Sequence, residues 1–461
     1  MEKFLAAVRN MFNVPDLRRR IFFTLGLLAV YRFGAHVTAP GVNRLRLEEV
    51  WRDVAGTLLG VLDLFSGGNF RTISVFALGV TPYITASIIL QLMTVVSPQL
   101  KKLQEEGEMG RQKINQWTRY LTVVLAGIQT SFVAHWLQVN GVGAPGWGFR
   151  LSTVLTLTTG TIFVMWLGEQ ITERGIGNGM SLIIFAGIVV GLPGAVLTTM
   201  EQLRTGQMGI VRLLALIVLM IGVVAAIVFV ERGHRRVTVQ YAKRVVGRRM
   251  YGGSSTHIPL KVNTGGVIPV IFASSILAFP GTLTPLIEEG GRFGWLRRPL
   301  EQIAPGMPLH DLLYVVGIIF FCYFYTAIIF NPDDVAENMR KYGGFIPGIR
   351  PGKRTAEYID TILTRITLVG AIYLAIVAIL PQFLISGFKV APIPFIGERL
   401  DSVLPRFITE GMNVSFYFGG TSLLIIVGVA MDTVQQVESQ LIMRHYDGFM
   451  KKTRIRGRRG Q

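Results

Sequence analysis

Ten long apolar runs constrain this chain more than any other feature. A helix needs roughly 20 mostly apolar residues to cross the hydrocarbon core of a membrane, and stretches of that length recur throughout the sequence. They lie near residues 20–38, 76–97, 118–138, 151–170, 180–199, 211–230, 267–285, 311–330, 366–386 and 413–433. The pattern predicts an all-α polytopic membrane protein with ten transmembrane helices.

Positive charge is concentrated in alternate loops of this arrangement. The chain holds 46 Lys and Arg against 28 Asp and Glu, a formal net charge of +18. The basic stretches include the segment 1–20, the loops 231–265 and 332–365, and the tail 436–461. All of them fall on one side of a ten-span chain, and Lys and Arg accumulate on the cytoplasmic side of membranes. We therefore expect both termini in the cytoplasm.

One apolar segment occurs twice. Residues 79–90 read GVTPYITASIIL and residues 266–277 read GVIPVIFASSIL, which agree at eight of twelve positions. Five spans separate the start of one copy from the start of the other, so the copies cross the membrane in opposite directions. The pattern is typical of inverted repeats and predicts two five-helix halves, 21–200 and 211–435. Convergence on small helix-packing residues is the alternative explanation.

Inverted halves occur in secondary transporters as well as in channels. Ion-coupled carriers usually hold ionisable groups near the bilayer midplane. Here Arg32, Glu169, Arg212 and Asp432 fall near span ends, and His135 lies towards the outer end of the third span. These positions disfavour a coupled carrier, and a carrier of small solutes that uses only amide and hydroxyl groups stays open as an alternative.

Enzyme chemistry has no sequence signature in this chain. The sequence contains no P-loop, no metal-ligand spacing and no Gly-x-Ser-x-Gly motif. We therefore expect neither catalysis nor a cofactor, and any energy for transport must come from a partner.

The stretch LDLFSGGNFRTISVFALGV at 62–80 consists of two apolar fragments separated by Ser-Gly-Gly. Neither fragment is long enough to cross a membrane. Irregular backbone at membrane depth is tolerated only inside protein or beside a water-filled cavity. The stretch is therefore either part of a cavity or an ordinary amphipathic surface loop.

Seven stretches, in order along the chain, resemble the bacterial SecY family, whose members form the channel of the protein translocase. They are LFSGGNF, TPYITASIILQL, ERGIGNGMSLIIFAGI, YAKRVVGRRMYGGSSTHIPLKVN, GVIPVIFASSI, NPDDVAENMRKYGGFIPGIRPGKRT and FYFGGTSLLIIVGVAMDT. The resemblance implies a clamshell of two halves around a central pore, closed from outside by a plug within 62–75. The plug residues would be Leu64, Phe65, Ser66, Gly67, Gly68, Asn69 and Phe70.

The resemblance also implies a pore ring and a lateral gate. The ring would consist of Ile84, Ile88, Ile184, Ile188, Ile271 and Ile425. Such a ring offers no specific hydrogen bonds and dewets when empty, whereas the alternative role of these isoleucines is ordinary helix packing. The gate, through which membrane-protein helices would leave sideways, would carry hydrogen-bonding side chains on three helices, namely Ser87, Gln129 and Ser274.

The partners implied by the resemblance follow from the basic loops. The ribosome and the motor ATPase SecA would dock there, with Arg244, Arg248 and Arg249 on ribosomal RNA phosphates and Arg350 on the motor. The small subunits SecE and SecG, signal peptides and nascent chains complete the set, and anionic lipids would attract the tail from Lys451. The expected location is the bacterial plasma membrane.

Overall fold

The computed structural model describes residues 14–54, 63, 66–206, 208–241, 244–246, 249–251, 255–281, 299–300, 302–303, 307–387 and 420–452. The chain divides into two compact units. Unit 1 comprises Met1–Gly191 and Val429–Gln461, and unit 2 comprises Leu192–Gly428.

Helices form most of the regular structure. The main described helices, α1 to α13 in chain order, are Pro15–Gly34, Arg44–Val54, Thr81–Val96, Pro98–Glu105, Glu108–Val139, Trp147–Arg174, Gly179–Arg204, Ile210–Glu231, Ile268–Gly281, Pro308–Ile329, Pro332–Lys341, Lys353–Ser386 and Gly420–Lys452.

Each of the ten predicted spans overlaps one of these helices, and residues 282–285 and 413–419 of two predicted spans lie outside the described residues. Seven described helices are long and apolar enough to cross a membrane by length and composition. An eighth span results if α3 and α4, which meet at a 100° bend, count as one. The remaining two, α1 and α9, fall short of the same criteria within the described residues, α1 because it carries Arg18, Arg19 and Arg20 near its start.

The two copies of the repeated segment share a local backbone conformation. Gly79 has φ +53° and the equivalent Gly266 has φ +58°, a left-handed conformation that glycine adopts without steric cost. Helix α3 begins at Thr81 and α9 at the equivalent Ile268, each one residue before a proline. Proline is tolerated there because the first-turn N–H has no partner within the helix. The repeat therefore encodes the same turn into the same helix start twice.

A small sheet within unit 2 was not predicted. Its strands, β1 to β5 in chain order, are His234–Tyr241, Arg244–Val246, Arg249–Tyr251, Ser255–Lys261 and Gly344–Phe345. Strands β4, β1 and β5 form an antiparallel sheet in that order, and β2 pairs with β3 as a separate ribbon.

The sheet joins the two basic loops into one body. Strand β1, from the loop 231–265, pairs with β5, from the loop 332–365, through Gln240 opposite Phe345. A common apolar core also links the loops; its buried members are Val237, Val239, Leu260, Met339, Ile346, Ile359 and Leu363. The two loops therefore fold together rather than as independent solvated segments.

Candidate functional site

The plug segment, defined here as the described residues 66–75, is held by a phenol on the first helix. The Tyr31 hydroxyl donates a hydrogen bond to the Ser66 carbonyl oxygen at 2.9 Å. The Asn69 side-chain amide donates in turn to the Tyr31 oxygen at 3.0 Å. Ser66 and Asn69 are each 1% exposed, so these bonds lie out of contact with water. The predicted plug residues Leu64 and Phe65 lie outside the described residues.

An aromatic cluster holds the next residue of the plug segment. The Phe70 ring lies 6.0 Å from that of Trp51 and 6.5 Å from that of Trp136, centroid to centroid. Both tryptophans belong to unit 1, on α2 and α5. The segment is therefore packed against its own unit and is not an exposed amphipathic loop.

Two glycines bring the plug segment into contact with α7. A Cβ added to Gly67 would lie 2.5 Å from the Cα of Gly187, and one added to Gly187 would lie 3.0 Å from the Cα of Gly67. Gly67 also has φ +72°, whereas a Cβ on Gly68 would meet nothing within 4 Å. Ile184 shares the helix face of Gly187, because residues three apart lie on one side of a helix, and Ile188 follows Gly187 directly in the chain. The plug segment therefore seats on the face that carries one predicted ring residue, Ile184.

Asp63 lies at the start of this region and is 4% exposed. One of its carboxylate oxygens accepts a hydrogen bond from the Arg71 N–H at 2.7 Å. Its carbonyl oxygen accepts from the Ser66 hydroxyl at 3.1 Å and from the Gly68 N–H. Burial raises the pKa of Asp63 from 3.8 to about 6, and the Arg71 N–H partly opposes that rise.

Seating of the plug segment should therefore depend on pH. The seated form holds the Asp63 proton more tightly than a solvated form, so seating is strongest below pH 3.8 and weakens as pH rises through about 6. The pKa difference corresponds to about 3 kcal/mol at most. On the role that the resemblance implies for this segment, Asp63→Asn should remove this dependence and lower ion leak at neutral pH, measured as bilayer conductance against pH. A wild-type leak that follows the same pH curve as the variant would assign the dependence to another group.

All six predicted ring isoleucines are buried. Exposed fractions range from 0% for Ile425 to 6% for Ile84. Ile84, Ile88, Ile184 and Ile188 belong to unit 1, and Ile271 and Ile425 to unit 2.

Within unit 2, α13 packs closely on the start of α9. A Cβ on Gly428 would overlap the Val267 side chain. Ile425 precedes Gly428 by three residues and Ile271 follows Val267 by four, so each shares its helix face with the contact residue. The two ring candidates of this unit therefore lie beside one helix contact.

Two of the predicted gate residues have hydrogen-bond partners within their own helices, and the third has no hydrogen-bond partner among the described residues. The Ser87 hydroxyl accepts from the Gln91 amide at 3.0 Å, and the Ser274 hydroxyl donates to the carbonyls of Val270 and Ile271 at 2.9 Å. The Gln129 amide is buried without a hydrogen-bond partner in the part of the chain that the structure describes. Bonding between these side chains across a gate stays a prediction.

The docking candidates lie on the joined loops. Arg244 and Arg249 are on the β2–β3 ribbon, opposite Tyr251 and Val246 respectively, and Arg248 lies outside the described residues. Arg350 is exposed in the turn between β5 and α12. Its carbonyl oxygen accepts a hydrogen bond from the Thr355 hydroxyl at 3.0 Å, which ties the turn to the start of α12.

Tyr31 and Gly187 are the functional candidates that the sequence did not reveal. Nothing in the sequence distinguishes Tyr31 from other aromatics in apolar spans, since its role depends on a contact 35 residues away. Gly187 resembles any small residue of a packed helix. Over the residues that the structure describes, no group of three or more His, Cys, Asp or Glu could hold a metal ion.

Comparisons with known proteins agree with the family resemblance of the sequence motifs. The SecY family model matches residues 74–434. Protein translocase subunit SecY of Pseudomonas aeruginosa is 48% identical over 98% of this chain and 97% of its own. The Escherichia coli K12 protein of that name is 47% identical over 96% of each chain.

Solved structures show the same fold at low identity. A protein-conducting channel superposes with TM-score 0.60 at 17% identity, covering 92% of each chain. Sec61 in a canine ribosome–channel complex gives TM-score 0.56 at 16% identity, again over 92% of each chain. The predicted polytopic helical fold is confirmed. With 48% identity over almost its whole length and a family model spanning most of it, the chain belongs to the SecY family of protein translocase subunits.

Proposed function

We propose that this chain is the channel through which unfolded secretory polypeptides cross a bacterial plasma membrane, and which releases apolar helices sideways into the lipid. The observation that carries the proposal is the approach of Gly67 to Gly187, which seats the plug segment on the face of α7 that bears Ile184. A small-solute carrier has no need of a removable segment on such a face.

The contacts that hold the plug segment are strong enough to keep a pore closed and weak enough to be broken when it opens. The two hydrogen bonds at Tyr31 are neutral, and such bonds contribute about 1 kcal/mol each. The Phe70 contacts with Trp51 and Trp136 add about 0.5–1.5 kcal/mol per aromatic pair beyond the area they bury. A signal helix that enters the channel can offset a total of a few kcal/mol, because its own contacts replace those of the plug segment.

The isoleucine ring is proposed as the second seal. Isoleucine presents branched hydrocarbon and no donor or acceptor, so a passing chain of any sequence meets the same surface. A ring formed by Ile84, Ile88, Ile184, Ile188, Ile271 and Ile425 would dewet when empty. The halves 21–200 and 211–435 would part at Ser87, Gln129 and Ser274, where interhelical hydrogen bonds in membranes average only about 0.6 kcal/mol.

The joined basic loops are proposed as the docking platform. Two solved neighbours are ribosome–channel complexes, one with canine Sec61 and one with yeast Ssh1, which supports a ribosome partner here. The proposed phosphate contacts are Arg244, Arg248 and Arg249, and Arg350 would contact the motor SecA. SecE and SecG are proposed as accessory subunits, and anionic lipid as the partner of the basic tail 436–461.

The proposed orientation of the chain in the membrane follows from the distribution of its basic residues. With the segment 1–20 and the joined loops in the cytoplasm, the basic residues face anionic lipid headgroups and ribosomal RNA. This orientation places both termini inside and the plug segment towards the outer face. The energy for transport would come from the docked motor or ribosome.

Photo-crosslinking to a stalled secretory chain tests the channel. A photoreactive residue at Ile84 or Ile271 should label the chain, since both would line its path. Val95 and Ile276 are the matched controls, because they lie on the same helices with 59% and 38% exposure. Labelling from the controls but not from the isoleucines would place the path elsewhere, and silence from all four would favour a small-solute carrier.

Arg350→Glu is expected to impair motor-driven export more than ribosome binding. Loss of one charged contact worth about 1.4 kcal/mol lowers affinity tenfold, and the reversed charge would also repel an acidic motor surface. Translocation into inverted vesicles and ribosome co-sedimentation measure the two effects. Arg340→Glu is the charge-matched control, since Arg340 is exposed on α11 in the same loop. Equal losses of both activities in Arg350→Glu would contradict the division of roles.

A further inference from the structure

The sheet of unit 2 is joined to two helices at its base. Strand β1 begins at His234, shortly after α8 ends, and β4 ends at Lys261, shortly before α9 begins. His234 pairs with Lys261, and the Val262 N–H donates a hydrogen bond to the Gly233 carbonyl oxygen at 3.0 Å, which extends the ladder by one pair. The sheet therefore stands on two adjacent connections, one from α8 to β1 and one from β4 to α9.

The connection from β4 to α9 contains a turn over residues 263–266, which reads NTGG. Two successive glycines restrict the backbone little, and Gly266 has φ +58°. Without a further restraint, such a turn would absorb a displacement of β4 before it reached α9. The Asn263 side-chain amide supplies a restraint, because it donates to the Gly266 carbonyl oxygen at 3.0 Å and closes the turn across Gly265.

The same amide joins the turn to α8. It donates to a carboxylate oxygen of Glu231, the last residue of α8, at 2.6 Å. An amide nitrogen carries two hydrogens, so the bonds to Glu231 and Gly266 use both and fix the orientation of the side chain. Glu231 is 7% exposed and Asn263 is 5% exposed, and hydrogen bonds to a charged group are about twice as strong as neutral ones. The two connections of the sheet are thus crosslinked at their base.

The start of α9 is close-packed on two other helices. A Cβ on Gly370 would lie 2.6 Å from the Val262 carbonyl oxygen, so α12 abuts the end of β4. A Cβ on Gly428 of α13 would overlap the Val267 side chain. The Ile271 N–H in turn donates to the Val267 carbonyl oxygen at 3.2 Å. A displacement of the turn is therefore passed directly to the helical turn that carries a ring candidate.

We propose that Glu231 and Asn263 are positioning residues that couple the sheet to α9, so that a partner docked on the joined basic loops displaces the helix that carries Ile271 and Ser274. This inference rests on the proposed function, which places docking on those loops and the gate on α9. Stability alone does not require a buried charge, since well-packed apolar residues of similar volume often stabilise such a site equally well. The polar pair instead fixes one geometry between two connections that would otherwise move independently.

A fluorophore on α9 of the purified complex with its accessory subunits measures the coupling. Bimane is attached to Ile276→Cys, a position that is 38% exposed, in a Cys322→Ala background that removes the natural cysteine of the chain. Docking of idle ribosomes should shift the bimane emission of the otherwise unaltered protein. Asn263→Asp places a second carboxylate against Glu231 and should abolish most of that shift, while ribosome co-sedimentation stays unchanged.

Two further variants separate the coupling from a failure to fold. Glu231→Gln keeps the shape of the side chain and an acceptor for Asn263 but removes the charge, so the emission shift should be intermediate. Glu231→Gln with Asn263→Asp exchanges amide and carboxylate and restores a charge-assisted hydrogen bond between the same positions. The exchange removes the donor to Gly266, so it should regain part of the shift that Asn263→Asp loses. No recovery in the exchanged pair would overturn the proposal.

Thr264→Val is the matched control within the same turn. The Thr264 hydroxyl donates to the Lys261 carbonyl oxygen at 3.2 Å, a bond that stays within the connection from β4 to α9, so its loss should leave the shift unchanged. A full shift in Asn263→Asp, or an equal loss in Thr264→Val, would overturn the coupling. Bound ribosomes that leave the unaltered protein without a shift would overturn the coupling alone, whereas ribosomes that do not bind it would contradict the proposed docking function and with it the coupling.

Discussion

Gly67→Ala is expected to unseat the plug segment and to raise the ion conductance of the idle channel. A Cβ at residue 67 would lie 2.5 Å from the Cα of Gly187, so one of the two backbones must move. Overpacking of this kind costs about 1–3 kcal/mol, which lowers the ratio of seated to unseated segment roughly 5- to 150-fold. Conductance of the purified complex in planar bilayers measures the change.

Gly68→Ala is the matched control for backbone strain. Gly68 has φ +82° and Gly67 φ +72°, so alanine meets a similar left-handed penalty of about 1–2 kcal/mol at both positions. A Cβ on Gly68 meets nothing within 4 Å. Higher conductance in Gly67→Ala than in Gly68→Ala isolates the contact with α7. Equal conductance in the two variants would mean that backbone strain causes the leak and that the contact with Gly187 does not hold the plug segment.

The spans and the repeated segment could be predicted because they depend on local sequence. Apolar length alone places a helix at each of the ten runs, and the glycine and proline of the repeat determine the turn and helix start at Thr81 and Ile268. These features do not depend on tertiary contacts. The family resemblance then drew attention to Ser66, Gly67 and Asn69.

The partners of those residues could not be predicted, because they are tertiary. Tyr31 reaches Ser66 across 35 residues, and Gly187 reaches Gly67 across a still longer separation. The sheet was missed for a different reason. The strand β1 reads HRRVTVQY, in which only Val237 and Val239 are buried. This alternation of buried and exposed residues is too short to predict a strand within a strongly basic loop. Its pairing with β5 depends on a two-residue strand far along the chain.

The plug segment and the isoleucine ring are expected to act as two seals on one path. Ile84→Gly with Ile425→Gly should widen and wet the constriction and raise idle conductance about tenfold, the effect of lowering a barrier by about 1.4 kcal/mol. Ile188 is left intact because it flanks the plug contact at Gly187. The control variant is Ile89→Gly with Ile426→Gly, which carries the same helix-propensity cost of about 1 kcal/mol per glycine. Its residues lie on α3 and α13 outside the proposed ring.

Combining these ring substitutions with Gly67→Ala decides whether the seals are in series. An ion on a single path must pass both seals, so the fraction of channels with an unseated plug segment multiplies the conductance that the ring allows. The combined variant should therefore conduct more than the sum of the increases in the separate variants. Two unrelated leaks would be parallel paths, and their increases would simply add. Additive conductances would contradict a single pore, whereas a supra-additive result requires that Gly67 and the isoleucines obstruct the same ions.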